Sequence, residues 1–164
     1  MHSHVFNRLD PDIEARVSEL LGRMTLTEKI GQLNQLSPMS YAPPPPGSPR
    51  GTPPRLEPVP DVEEMCAAGT IGSIYNTNSA VVVNRFQRAA IERSRLGIPL
   101  IVGGDVIHGF RTVFPIPLAL ACTWNPDLVA ATARVAAEEA SATGIDWIFA
   151  PMVDIARDPR WGRI

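Results

Sequence analysis

Three short segments of this chain are apolar on both sides, and a helical pattern separates each from the next. They are IGSIYN (71–76), PLIVGGD (99–105) and DWIFAPMVDI (146–155). A strand with one wet face alternates apolar and polar residues; a strand without that alternation is covered on both faces. Between the first two, Ser79 to Leu96 reads as a helix closed by Gly97. Between the second and third, Asn125-Pro126-Asp127 opens a helix that runs through Leu128, Val135 and Ala136 to Gly144. Covered strands alternating with helices predict parallel βαβ units, which places the chain in the α/β class.

Upstream, Asp10 caps a helix with Pro11 at its first position and an apolar face of Ile13, Val17, Leu20, Leu21 and Met24. Thr25-Leu-Thr-Glu28 has the spacing of a capping box and restarts the helix through Ile30 and Leu33. From Pro43 to Pro60 the chain carries nine prolines in eighteen residues. That density argues against both helix and paired strand, and predicts a polyproline-like, mobile surface insertion.

Composition limits the function classes. Hydrophobic residues make up 45% of the chain, enough for a packed core, and the net charge of −2 offers no basic surface for nucleic acid or anionic membrane. No apolar run approaches the roughly 18 residues of a membrane helix. The start, MHSHVFNRLDPD, lacks a basic stretch followed by an apolar one, so no signal peptide is read and a cytoplasmic chain is expected, a secreted or periplasmic parent being the alternative. Cys66 and Cys122 lack metal-type spacing and are expected as buried free thiols. His2 and His4 form an H-x-H with no strand before it and no histidine cluster after it, so no metal site is expected.

In parallel α/β architectures ligands bind at the carboxyl ends of strands. PLIVGGD delivers Asp105 there, behind Gly103 and Gly104, with His108 and Arg111 close by. The third strand delivers Asp154, Arg157, Asp158, Arg160, Trp161 and Arg163. Carboxylates and guanidiniums of this kind grip vicinal hydroxyls through charge-assisted hydrogen bonds, and a tryptophan face suits the C–H face of a pyranose. The residues alone therefore suggest a polyol or sugar site. Asp105 also reads as a plain turn residue, His108 as an orienting group, Arg157, Asp158 and Arg160 as an ion-pair lattice, and Trp161 as loop packing. An Asp105–Asp158 catalytic pair is not expected, because Arg157 and Arg160 would keep Asp158 ionised.

Three long motifs occur in order: MTLTEKIGQL, GGDVIHGFRTVFPIPLALACTWNPDLV and FAPMVDIARDPRWGRI. Together they resemble glycoside hydrolase family 3, the β-glucosidase and β-xylosidase group, from about Ile13 to Ile164, and only the proline-rich segment is foreign. The resemblance implies part of a (β/α)8 TIM-type barrel. Residues 1–164 then form the N-terminal portion of the barrel domain, about its first three βα units, with a proline-rich insertion at 43–60. It implies a fragment of a retaining β-glucosidase acting on terminal non-reducing β-D-glucosyl residues. Such chemistry uses two carboxyl groups and no cofactor.

In that family the aspartate of the D-V-x-H-G motif bonds sugar hydroxyls, which assigns substrate binding to Asp105. The arginine closing R-D-P-R-W-G-R also contacts the sugar, which assigns the same role to Arg163. His108, Arg157, Asp158 and Trp161 are assigned to supporting that site. The family's nucleophilic aspartate and acid/base glutamate lie further along its chain, so no catalytic residue is expected here and the chain alone is expected to be inactive. The expected partner is a carbohydrate, with no nucleic acid and no membrane, and the oligomeric state is left open. A bare parallel edge after the third strand fits a truncated barrel. The alternative from another class is a short, non-catalytic chain that binds sugar or depends on a partner.

Overall fold

The computed structural model describes residues 10–152, 155 and 157–161. Helix α1 (Pro11–Arg23) starts where Asp10 accepts a bond from the Asp12 amide at 3.0 Å, with Pro11 in the first turn. Helix α2 (Leu26–Leu33) starts on a complete capping box. The Thr25 hydroxyl accepts from the Glu28 amide at 3.3 Å, and the Glu28 carboxylate accepts from the Thr25 amide at 2.8 Å. Arg95 donates to the same carboxylate at 2.6 and 2.9 Å and to the Arg23 carbonyl at 2.8 Å. The Arg95 guanidinium and the Thr25 amide hold the Glu28 carboxyl down to about 2. One side chain thus ties the corner between α1 and α2 to a segment some seventy residues further along the chain.

The remaining order is β1 (Gln35–Leu36), β2 (Met39–Ala42), β3 (Arg55–Pro58), α3 (Val62–Ala67), β4 (Ser73–Tyr75), α4 (Ala80–Arg88), β5 (Ile101–Gly104), α5 (Pro117–Ala121), α6 (Pro126–Ala142) and β6 (Trp147–Ile148). The main sheet has the order β1-β4-β5-β6 with every pairing parallel. This is the α/β arrangement that the covered strands imply. Ile74 and Val102 lie fully buried at its centre, under Val83, Phe86, Ala89 and Ala90 from the α4 side and Cys66 from α3. Ile74, Val102, Val83 and Phe86 each contribute roughly 1.5–3 kcal/mol by leaving water.

Several expectations need correction. Among the described residues the sheet has four strands: β1 is only two residues long, and NQL carries no apolar run to announce it. The helix from Ser79 ends at Arg93 after a π-helical turn over Ala89–Arg93, before Leu96 and Gly97. Among the described residues of the third apolar segment the strand covers Trp147–Ile148, its ladder reaching one bond further from the Phe149 amide to the Gly104 carbonyl at 2.8 Å. Pro151 then has no amide to extend it. The proline-rich segment does hold a paired strand: β3 lies antiparallel to β2, with Met39 opposite Pro58 and Ala42 opposite Arg55. Both strands of a two-stranded ribbon are edges, and the one proline of β3 is its last residue, where a missing donor is tolerated. Both cysteines are free, but only Cys66 is buried, where burial pushes its thiol up to about 11; Cys122 is exposed.

Candidate functional site

All strands of the main sheet run the same way, so the chain leaves each of them on one edge. Strand β5 ends at Gly104, and the next residue, Asp105, is exposed on that edge. Two features fix the direction in which the chain leaves. Val106 adopts φ 39 while its side chain is buried. A β-branched residue in that region costs about 1–3 kcal/mol, and such strain collects at functional sites. Gly109 adopts φ 113, and a Cβ there would sit 2.0 Å from the Thr112 carbonyl oxygen.

The loop is then closed on itself. Gly109 bridges to Val113, the Phe114 amide donates to the His108 carbonyl at 2.8 Å, and His108 Nδ1 lies 3.1 Å from the Phe114 carbonyl. A carbonyl only accepts, so Nδ1 is the donor in this contact. In this geometry His108 holds the loop that starts at Asp105. Helix α6 holds it from outside: Glu139 accepts from the Arg111 and Thr112 amides at 2.8 Å each and from the Thr112 hydroxyl at 2.6 Å. The Thr112 hydroxyl and amide, then the Arg111 amide, keep the Glu139 carboxyl below the usual carboxylate range.

Gly103 and Gly104 leave room for side chains that come from the segment around β6. A Cβ on Gly103 would lie 2.6 Å from the Phe149 ring, and one on Gly104 would lie 3.1 Å from Ile145. They let the segment around β6 pack against β5. The loop beyond β6 leaves on the same edge as Asp105, because the two strands are parallel neighbours. In it Arg160 grips Asp158 through its guanidinium and backbone amide, which holds the Asp158 carboxyl below its ordinary range. Trp161 closes a short 3-10 turn and is 45% exposed, and Arg157 is exposed. Asp154 and Arg163 lie outside the described residues, as do His2 and His4.

The same edge of the sheet carries a groove of about 1180 Å³ between the β2–β3 ribbon and the ends of β1 and β4, with Tyr75, Asn76 and Asn78 in its lining. Thr77 also lines it; its hydroxyl is buried and has no hydrogen-bond partner. Among the described residues no three His, Cys, Asp or Glu side chains gather as a metal site, and no helix is long and apolar enough to cross a membrane. Sequence reasoning singled out Asp105 and His108 but missed Glu139, Val106 and Thr77. A glutamate in an alanine-rich helix carries no signal of its own, and a positive φ at valine runs against propensity.

Residues 25–164 match the glycosyl hydrolase family 3 N terminal domain. The periplasmic β-glucosidase of Salmonella typhimurium is 42% identical over 150 residues, which are 92% of this chain and 18% of that protein. The lysosomal β-glucosidase of Dictyostelium discoideum is 32% identical over 90% of this chain and 20% of its own length. A crystal structure of a Listeria innocua β-glucosidase in complex with glucose superposes with a TM-score of 0.72 at 42% identity, covering 92% of this chain and 20% of that one. The chain therefore spans about a fifth of the length of these relatives. The four parallel strands with their helices, seen among the described residues, are part of a TIM-barrel-like α/β fold.

Proposed function

The chain belongs to glycosyl hydrolase family 3, and from that premise we propose that it forms the sugar-gripping segment of a β-glucosidase. The parent acts on terminal, non-reducing β-D-glucosyl residues. Asp105 accepts hydrogen bonds from hydroxyls of the sugar about to be cleaved, and Arg163 is the second contact. His108 orients the Asp105 loop, while Arg157, Asp158 and Trp161 shape the neighbouring wall. The carboxyl groups that break the bond come from outside this segment. The glucose held by the Listeria relative supports a carbohydrate ligand. The periplasmic and lysosomal names of two relatives support an exported or vesicular parent over a cytoplasmic one.

The observation that carries this reading is the place of Asp105. It is exposed at the carboxyl end of a parallel strand, after which the chain turns through a strained, clamped loop. An ionised carboxylate there accepts from one or two ring hydroxyls, and those bonds tighten as the ring distorts toward an oxocarbenium-like state. In the full-length enzyme Asp105→Ala should lower kcat/KM on an aryl β-glucoside by at least about a hundredfold, since losing one or two such bonds costs roughly 3–5 kcal/mol. Asp105→Asn should recover part of the loss. An unchanged kcat/KM with a lowered Tm would make Asp105 a turn residue and end the assignment.

A further inference from the structure

Glu139 lies on α6, far in sequence from Asp105, yet its carboxylate closes three hydrogen bonds onto the loop that Asp105 begins. Oε2 accepts from two successive backbone amides, Arg111 and Thr112, at 2.8 Å each, and Oε1 accepts from the Thr112 hydroxyl at 2.6 Å. Bonds from neutral donors to an ionised acceptor are stronger than those between neutral partners. What they restrain is a segment that resists its own conformation. Val106 carries a positive φ, and Gly109 is a turn with no room for a side chain. Because His108 and Gly109 are bridged to Phe114 and Val113, fixing Arg111 and Thr112 at the tip fixes the whole hairpin back to β5.

We infer that Glu139 is a positioning residue for the sugar site: it holds the loop from Asp105 to Phe114 so that the Asp105 carboxylate meets the substrate hydroxyl. The inference rests on the proposed role of Asp105. Glu139 touches neither substrate nor reacting atoms, and acts only through the loop. Its effect should therefore vanish when Asp105 can no longer bond the sugar.

The test is a double-mutant cycle in the full-length enzyme, read as kcat and KM on an aryl β-glucoside well below the melting temperature. Glu139→Ala should lower kcat/KM by about tenfold or more, because a misplacement near 1 Å is enough for a loss of that order. In an Asp105→Ala background the same change should lower it by less than about twofold. Glu139→Gln should retain most of the activity. Its carbonyl oxygen can accept both amides while its NH2 donates to the Thr112 hydroxyl, so this variant keeps the geometry and loses the charge. Thr112→Val, which keeps both amide bonds, should sit between wild type and Glu139→Ala. An equal loss from Glu139→Ala with and without Asp105 would overturn the inference. So would a drop in Tm with unchanged kcat and KM, or Glu139→Gln as damaging as Glu139→Ala. If Asp105→Ala alone leaves kcat/KM unchanged, it is the sugar site that fails, and the positioning role falls with it.

Discussion

Helices α4 and α6 flank the same sheet, yet different forces hold them. Helix α4 begins Ala-Val-Val-Val, a run of β-branched residues that lose rotamer freedom in a helix. It persists because Val83 and Phe86 are each 3% exposed, within the core cluster that also holds Ile74 and Val102. Helix α6 has alanine at seven of its 17 positions and a side-chain cap from Asn125, so its sequence favours the helix before anything packs on it. It buries only Ala136 and Ala140, and leaves Leu128 45% and Val129 38% exposed. The first helix exists because of its tertiary contacts, the second largely because of its sequence. The difference matters for the site. The helix that clamps the Asp105 loop through Glu139 is the one whose own geometry least depends on burial.

Three substitutions would sharpen or break that contrast. The largest effect belongs to Phe86→Ala, which empties the core over the sheet centre and should cost about 3–5 kcal/mol in denaturant titration or pulse proteolysis. A cost under about 1 kcal/mol would mean that α4 is not held by its contacts. Next is Ala133→Gly, at an exposed position within α6, expected to cost about 1 kcal/mol through propensity alone. No measurable change would mean that α6 does not stand on propensity. The smallest is Val81→Ala on α4, 80% exposed, which removes a β-branched residue that packs on little. It should stabilise by about 0.5 kcal/mol, and a loss instead would show that Val81 is a contact residue.

The sequence reported the fold best where a single local rule governs the outcome. Asp10 with Pro11, the Thr25–Glu28 box and Asn125 with Pro126 all start helices where expected, since a cap is chemistry within four residues. The apolar segments located β4, β5 and β6 for the same reason. Strand β1 escaped because Gln35 and Leu36 are a strand only by pairing with Ser73 and Ile74, a contact no local pattern records. The ribbon escaped because proline density argued against any pairing, whereas only Pro58 falls within β3 and its partner comes from outside the segment. The apolar face of α1 was read correctly as a helix face, yet Ile13, Val17 and Leu21 are 55%, 45% and 46% exposed, since periodicity does not say what covers a face. At the site, Asp105 could be read from its place after a strand. Glu139 could not, because its partners Arg111 and Thr112 are joined to it only by the folded chain.

The most direct measurement of the central claim pairs Asp105→Ala with a set of deoxy-glucosides in the full-length enzyme. If the Asp105 carboxylate grips a hydroxyl of the sugar being cleaved, the mutation should lower kcat/KM by at least about a hundredfold on the complete glucoside. On the analogue lacking the contacted hydroxyl it should change kcat/KM by less than about threefold, because the bond is already gone. An equal loss on every analogue, with no hydroxyl singled out, would contradict the account and return Asp105 to the role of a residue that merely turns the chain.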